Sequence, residues 1–190
     1  MRVLVACEES QAVCIAFRDL GHDAFSCDLK PCSGGHPEWH YRADVFEVLA
    51  GTRWDLLIAH PPCTYLSKAG ATSLYRGRDI DEERYQALLR ARDFFMRLWR
   101  TECADRVCIE NPTPLKAAVL PPCDQVIQPY MFDEPWSKRT CLWLRNLPPL
   151  MAECINLFTE SWTEKHRSPV IRSKTFTGIA RAMAKQWGCL

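Results

Sequence analysis

The sequence predicts an α/β fold built on an open, mostly parallel, doubly wound sheet. Continuous apolar runs at Val3–Val5, Leu56–Ala59 and Val107–Ile109 suit strands covered on both faces. Each run gives way at once to ionisable or proline residues: Cys7-Glu8-Glu9, His60-Pro61-Pro62-Cys63 and Glu110-Asn111-Pro112. Stretches with helical periodicity lie between the runs, and alternation of strand and helix builds a parallel sheet.

Arg2–Ala6 is the first strand, and Cys7-Glu8-Glu9-Ser10 the turn after it. Ser10 is expected to cap the next helix, whose Val13, Ala16, Phe17 and Leu20 recur at helical spacing. Gly21 ends that helix, and Asp23–Cys27 is the second strand, closing on Asp28. This βαβ opening has no G-x-G-x-x-G, so nothing brings a backbone onto a pyrophosphate. Its two carboxylates repel phosphate and favour a cationic ligand. Glu8 and Glu9 read equally well as acids complementing the helix dipole. Asp28 stands where an acid accepts hydrogen bonds from ribose hydroxyls. Leu29–Arg42 reads as loop, and Ala43-Asp44-Val45 as a further strand end before a helical turn closing at Gly51.

The central strand, Asp55–His60, runs into two prolines, which cannot continue a buried strand. Open α/β sheets hold their ligands at the carboxyl ends of such strands. Cys63 therefore sits at a rim, and a thiolate is the strongest side-chain nucleophile near neutral pH. It is the candidate nucleophile, weighed against a small apolar Cys packed in a tight turn.

Residues 65–81 are small and polar, with Lys68, Arg76 and Arg78 as phosphate contacts or as a solvated loop. Glu82–Arg100 is the clearest helix, with Asp81 as cap and Tyr85, Leu88, Leu89, Phe95, Met96 and Trp99 inward. Arg106–Ile109 is a buried strand that ends at Glu110-Asn111-Pro112. Val126–Pro129 is a short strand. Lys138–Leu144 alternates, with Lys138, Thr140 and Leu142 on one face and Arg139, Cys141 and Trp143 on the other. Glu153–Ser173 is irregular. Thr177–Trp187 is a closing helix with Ile179, Ala180, Met183, Ala184 and Trp187 inward.

A chain of 190 residues supports a single domain, 1–190, with a real core. No apolar run approaches the roughly 20 residues that span a bilayer, and MRVLVACEES reads as a strand rather than a signal peptide. A net charge of +1 is too small to grip long nucleic acid by bulk electrostatics, so basic patches would have to act locally. Eleven cysteines, an odd number, point to free thiols in a reducing cytoplasm. The spacing of Cys27, Cys32, His36 and His40 matches no zinc knuckle, and Pro31 and Pro37 interrupt it, so no metal is expected.

Pro62-Cys63, then Glu110-Asn111 about 45 residues later, then Ser137-Lys138-Arg139-Thr140, each at its place in the α/β pattern, resemble the cytosine-5 DNA methyltransferases. The small phage-type members are most similar, and the resemblance covers nearly the whole chain. It implies a Rossmann-like, S-adenosylmethionine-dependent domain that methylates C5 of cytosine in DNA, or in a free cytosine nucleotide. By resemblance, Cys63 adds to C6, Glu110 binds N3 and the exocyclic amine, and Lys138 or Arg139 holds O2. Alternation leaves both of the last two open. The turn Ala6, Cys7, Glu8, Glu9 corresponds to the family's first motif, and Asp28 with Leu29 to the ribose site. Asp44 with Val45 corresponds to the adenine site, while His60 and Pro61 line the methyl-donor side. Pro62, Thr64 and Asn111 fall on the substrate side, and Thr175–Ile179 resembles the last motif. CEESQ stands in place of a glycine-rich turn. Only residues 145–174 are left for target recognition, too few for a second domain; a partner protein or a homodimer would then supply specificity.

Two other readings compete. An amino methyltransferase acting on adenine N6 or cytosine N4 favours Asp/Asn/Ser-Pro-Pro-aromatic, whereas here the turn ends in Cys63-Thr64 and Tyr65 comes two residues late. A catalytically inactive fold kept as a nucleic-acid or protein interaction module fits the lost glycines, but has no need of Cys63, Glu110 and Lys138/Arg139 together.

Overall fold

A computed structural model describes residues 1–68, 74–76, 79–157, 159–166, 168 and 174–190. The strands are β1 (Arg2–Ala6), β2 (Asp23–Cys27), β3 (His40–Tyr41), β4 (Trp54–Ala59), β5 (Tyr75–Arg76), β6 (Asp79–Ile80), β7 (Ala104–Pro112), β8 (Gln125–Ile127), β9 (Trp136–Ser137), β10 (Thr140–Arg145) and β11 (Glu160–Ser161). The helices are α1 (Ala12–Asp19), α2 (Val45–Gly51), α3 (Glu82–Trp99), α4 (Trp162–Lys165) and α5 (Thr177–Trp187). Seven strands form one sheet in the order β3-β2-β1-β4-β7-β10-β8. The first five pair in parallel, and β10 runs antiparallel to both its neighbours.

Both faces of this sheet are covered, which is why its central strands are apolar throughout. Val3, Val5, Leu56, Ile58, Cys108 and Leu142 pack with Phe17 of α1 and Met183 and Trp187 of α5. Their alternates, Leu4, Leu57, Val107, Ile109 and Trp143, pack with Leu49 of α2 and with Leu88, Phe95 and Leu98 of α3. β1, β2 and α5 have the expected bounds, and all five expected inward residues of α5 are buried. Asp81 caps α3 through the Arg84 amide, and Gly21 takes the left-handed conformation that ends α1.

Several expectations are corrected. Ser10 is not the cap of α1: Gln11 precedes the helix, and the Glu8 carboxylate takes its first amides. Leu20 lies past the last turn of α1 and is exposed. Ala43–Val45 forms no strand, since Asp44 is the N-cap of α2 and accepts from the Phe46 amide. β7 does not stop at Ile109 but continues to Pro112, because β10 pairs with it there, Leu142 opposite Glu110 and Thr140 opposite Pro112. Lys138 and Arg139 precede β10 instead of alternating within it. The loop 29–42 contains the edge strand β3, and 65–81 contains the hairpin β5–β6. Gly70, Gly77 and Arg78 lie outside the described residues. The stretch expected to be irregular after Glu153 includes β11, paired with β9, and α4.

Candidate active site

The chain runs outward from β1 through β2 to β3, then returns to β4 on the other side of β1. The carboxyl ends of β1 and β4 therefore flank the point where the winding reverses, the crevice in which such sheets bind ligands. Ala6 is buried there, and Cys7 has φ +58° and Gln11 φ +61°. Left-handed turns of this kind favour glycine, so a cysteine holds the geometry that a glycine-rich turn would otherwise supply. Glu8 turns inward and accepts from the amides of Val13 (2.7 Å) and Cys14 (3.2 Å). Burial pushes its carboxyl pKa upward, against the opposing influence of His60 and those two amides. Glu9 sits nearer the surface, 4.0 Å from the Lys174 ammonium, which also donates to the Ser33 hydroxyl.

Burial raises the pKa of the Cys7 thiol, and the charges of Asp28 and Asp44 add to the shift, so both acids border the same turn. Asp28 is half-buried and accepts from the Lys30 amide at 2.9 Å. Asp44 is exposed and Val45 buried beneath it, whereas Leu29 faces solvent.

On the other bank of the crevice, His60 leaves β4 with its amide on the Ala6 carbonyl, 2.9 Å away. The chain then lies along the exit of β7. Asn111 Nδ2 donates to the Pro61 carbonyl (2.8 Å), Lys68 N to the Thr113 carbonyl (3.1 Å), and Leu115 N to the Leu66 carbonyl (2.7 Å). Between these ties the Cys63 carbonyl accepts from Leu66 and Ser67, closing a turn in which Cys63 is half-buried and Pro62 and Thr64 are exposed. Arg84 of α3 braces this turn from outside, donating to the Thr64 carbonyl with its guanidinium 4.4 Å from the Tyr65 ring centroid. The Cys63 turn and the Glu110 strand thus share one rim.

The contact that sequence reasoning missed is between His60 Nδ1 and Glu110 Oε2, at 2.9 Å, with side chains only 8% and 12% exposed. Burial disfavours a charged imidazole. The Glu110 hydrogen bond and charge, with that of Glu8, outweigh it and raise the pKa of His60 above its usual 6.5. Burial likewise opposes ionisation of Glu110, yet the His60 hydrogen bond and charge, with Lys138, bring its pKa below 4.5. The two shifts run in the directions that favour a buried imidazolium–carboxylate pair. The residues lie 50 positions apart, and nothing local marks them as partners.

Lys138 is half-buried, its ammonium 5.6 Å from the Phe176 ring centroid, and its charge reaches Glu110. Arg139 is exposed and donates to the Thr113 hydroxyl at 3.2 Å. Of the two cations that alternation left open, Lys138 is the one coupled to the carboxylate. Thr175, ahead of α5, has its hydroxyl 3.5 Å from His60 Nδ1, so the closing segment packs back onto the same histidine. Two buried polar atoms here have no protein partner among the described residues, His60 Nε2 and Asn111 Oδ1. Unpaired buried polar atoms are rare and mark places where a ligand or water completes the set.

The Cys27–His40 segment does not gather into a metal site. His40 is held by the Ser26 hydroxyl and the Lys30 carbonyl, while His36 stacks on Trp39. Among the described residues no group of three or more His, Cys, Asp or Glu is placed to hold a metal ion, and no helix is long and apolar enough to cross a membrane.

No protein-family model and no curated protein sequence matches the chain. Solved structures do. The methyltransferase EhMeth of Entamoeba histolytica matches with TM-score 0.52 at 14% identity, over 84% of this chain and 57% of its own. A triple mutant of Spodoptera frugiperda DNMT2 gives 0.44 at 15% identity, over 85% and 56%. The S. pombe Dnmt2 methyltransferase gives 0.42 at 16% identity, over 86% and 52%. This chain spans only a little over half the length of each. In its strand order, its single antiparallel strand near one edge and its match to EhMeth, the chain has a Rossmann-like fold.

Proposed function

We propose that this chain transfers a methyl group from S-adenosylmethionine to C5 of cytosine, in DNA or in a free cytosine nucleotide, through a covalent adduct on Cys63. The observation that carries this reading is the fastening of the Cys63 turn to the strand that bears Glu110, through the Asn111–Pro61 hydrogen bond at 2.8 Å.

Cytosine is not nucleophilic at C5. Addition of the Cys63 thiolate to C6 makes C5 enamine-like, with negative charge developing toward N3. The Glu110 carboxyl group would meet N3 and the exocyclic amine, and the Lys138 ammonium would offset charge near O2. Pro62, Thr64 and Asn111 shape the rim against the base. After transfer, loss of the C5 proton returns the ring electrons and expels the thiolate. A target within duplex DNA must first leave the stack.

The crevice fits the methyl donor in three respects: the left-handed turn at Cys7, the two acids Asp28 and Asp44 around that turn, and the unpartnered His60 Nε2. Ala6, Cys7 and Glu9 would border it, Asp28 with Leu29 would take the ribose, and Asp44 with Val45 the adenine. His60 and Pro61 would face the sulfonium side. Glu8 already gives both oxygens to α1, so its part is to shape the turn. When bound, the cofactor supplies an electrophilic methyl group. Selection of the target would fall to a protein partner or to a second copy of this chain.

Incubation with methyl-labelled S-adenosylmethionine and, separately, duplex DNA, single-stranded DNA and cytosine nucleotides tests the reading. Label is expected in at least one of these, as 5-methylcytosine on nucleoside mass spectrometry. Label on an exocyclic nitrogen, or no label together with no calorimetric binding of the cofactor, contradicts it.

A further inference from the structure

The buried pair raises a difficulty for the chemistry just described. A carboxylate can accept from the exocyclic amine of cytosine, but it cannot give N3 the proton that offsets the charge of thiolate addition. Glu110 is held as a carboxylate by His60 and Lys138. The missing proton is one atom away, on the imidazole ring. We propose that His60 is a positioning residue that stores this proton and delivers it through Glu110 to N3 of the pyrimidine.

The geometry supports this in three ways. His60 Nδ1 and Glu110 Oε2 are 2.9 Å apart, a distance at which a proton crosses without rearrangement. Both side chains are nearly sealed from solvent, so water does not readily supply the proton instead. The residue is held in place, because the His60 amide is tied to the Ala6 carbonyl and the Thr175 hydroxyl lies 3.5 Å from the same Nδ1. The titratable groups facing the imidazole are Glu110 from β7, Glu8 from the turn after β1, and Lys138 from ahead of β10. The two carboxyl groups favour the protonated ring and the ammonium opposes it.

The balance is a proton balance only. In the resting state the imidazolium Nδ1–H donates to Glu110. As sulfur bonds to C6, the C5–C6 electron pair shifts toward N3, the Glu110 carboxylate takes the Nδ1 proton and passes it to N3, leaving a neutral imidazole and Glu110 again a carboxylate. When the C5 proton is lost and the C–S bond breaks, the N3 proton returns to the pair. No oxidant or second substrate is required.

This inference rests on the proposed cytosine chemistry, and its test separates the two. Wild type and His60→Asn are compared in methyl transfer from pH 6 to 9. Asparagine keeps a hydrogen-bond donor toward Glu110 but carries no titratable proton. The wild-type rate should fall as pH rises through the elevated pKa of His60. His60→Asn should lose about 10²-fold or more at pH 7, the scale of a positioned general acid, and should lack that alkaline limb. An unchanged rate and limb in His60→Asn, with an active wild type, overturns the proton store alone. Absence of transfer from wild type overturns the cytosine chemistry as well. If His60→Asn fails to fold, an NMR titration of the wild-type imidazole decides. A His60 pKa above 6.5 that drops in Glu110→Gln supports the store, and one that does not move overturns it.

Discussion

On the proposed mechanism, replacing Cys63 by alanine is expected to lower methyl transfer by roughly 10⁴-fold or more, the scale seen when a covalent nucleophile is deleted. Neither Glu110 nor Lys138 can substitute, because Glu110 is a carboxylate engaged with His60 and Lys138 is a cation. The fold survives, since the turn is closed by the backbone carbonyl of Cys63, which alanine keeps, and by the Asn111–Pro61 tie. Binding of the proposed cofactor is expected to be retained, because the crevice between β1 and β4 is built from other residues. Single-turnover transfer measured beside calorimetric cofactor binding separates these effects. Transfer by Cys63→Ala at a wild-type rate would rule out the adduct.

The second large effect is on stability. Glu110→Ala leaves the His60 imidazolium buried without its partner, and breaking a buried ion pair in this way costs about 3–5 kcal/mol. The pH dependence follows from the two shifts. The pKa of His60 is raised, so its contribution is complete below 6.5 and fades as pH climbs through the folded value. That of Glu110 is lowered, so its contribution is complete above 4.5 and fades as pH falls through the folded value. The pair is therefore worth most between pH 4.5 and 6.5. Urea unfolding of wild type and Glu110→Ala across pH 4 to 9 should show the widest gap in that window and a narrowing gap on the alkaline side. A gap independent of pH would mean that the pair is not ionised.

Much of the scaffold was legible because burial on both faces writes itself into sequence. β1, β2 and the central strand read as unbroken apolar runs, and α3 and α5 as long periodic ones, with a capping Asp81 ahead of α3. Two-residue strands such as β3, β9 and β11 bury too little to leave a pattern. Acids were harder to place. Asp44 looks the same at a strand end as at a helix N-cap, and Glu8, rather than Ser10, caps α1 because the turn folds back through left-handed Gln11. Alternation failed to separate Lys138 from Arg139 because β10 begins only at Thr140.

At the site, the proximity of the Cys63 turn to Glu110 was foreseeable from two strand ends facing one crevice. The His60–Glu110 pair was not. His60 reads in sequence as a rim residue, and only the side-by-side placement of β4 and β7, Ala59 opposite Ile109, brings the next residue of each strand together. Lys138 is brought within electrostatic reach of Glu110 in the same way, through the antiparallel return of β10 along β7.

The most direct test of covalent catalysis is intact-protein mass spectrometry after incubation with S-adenosylmethionine and an oligonucleotide or nucleotide bearing 5-fluorocytosine. With fluorine at C5 there is no proton to lose, so the covalent mechanism predicts a denaturant-resistant adduct, mapped by peptide sequencing to Cys63 and absent from Cys63→Ala. An enzyme that methylates cytosine yet forms no adduct, or forms one at another cysteine, would contradict it.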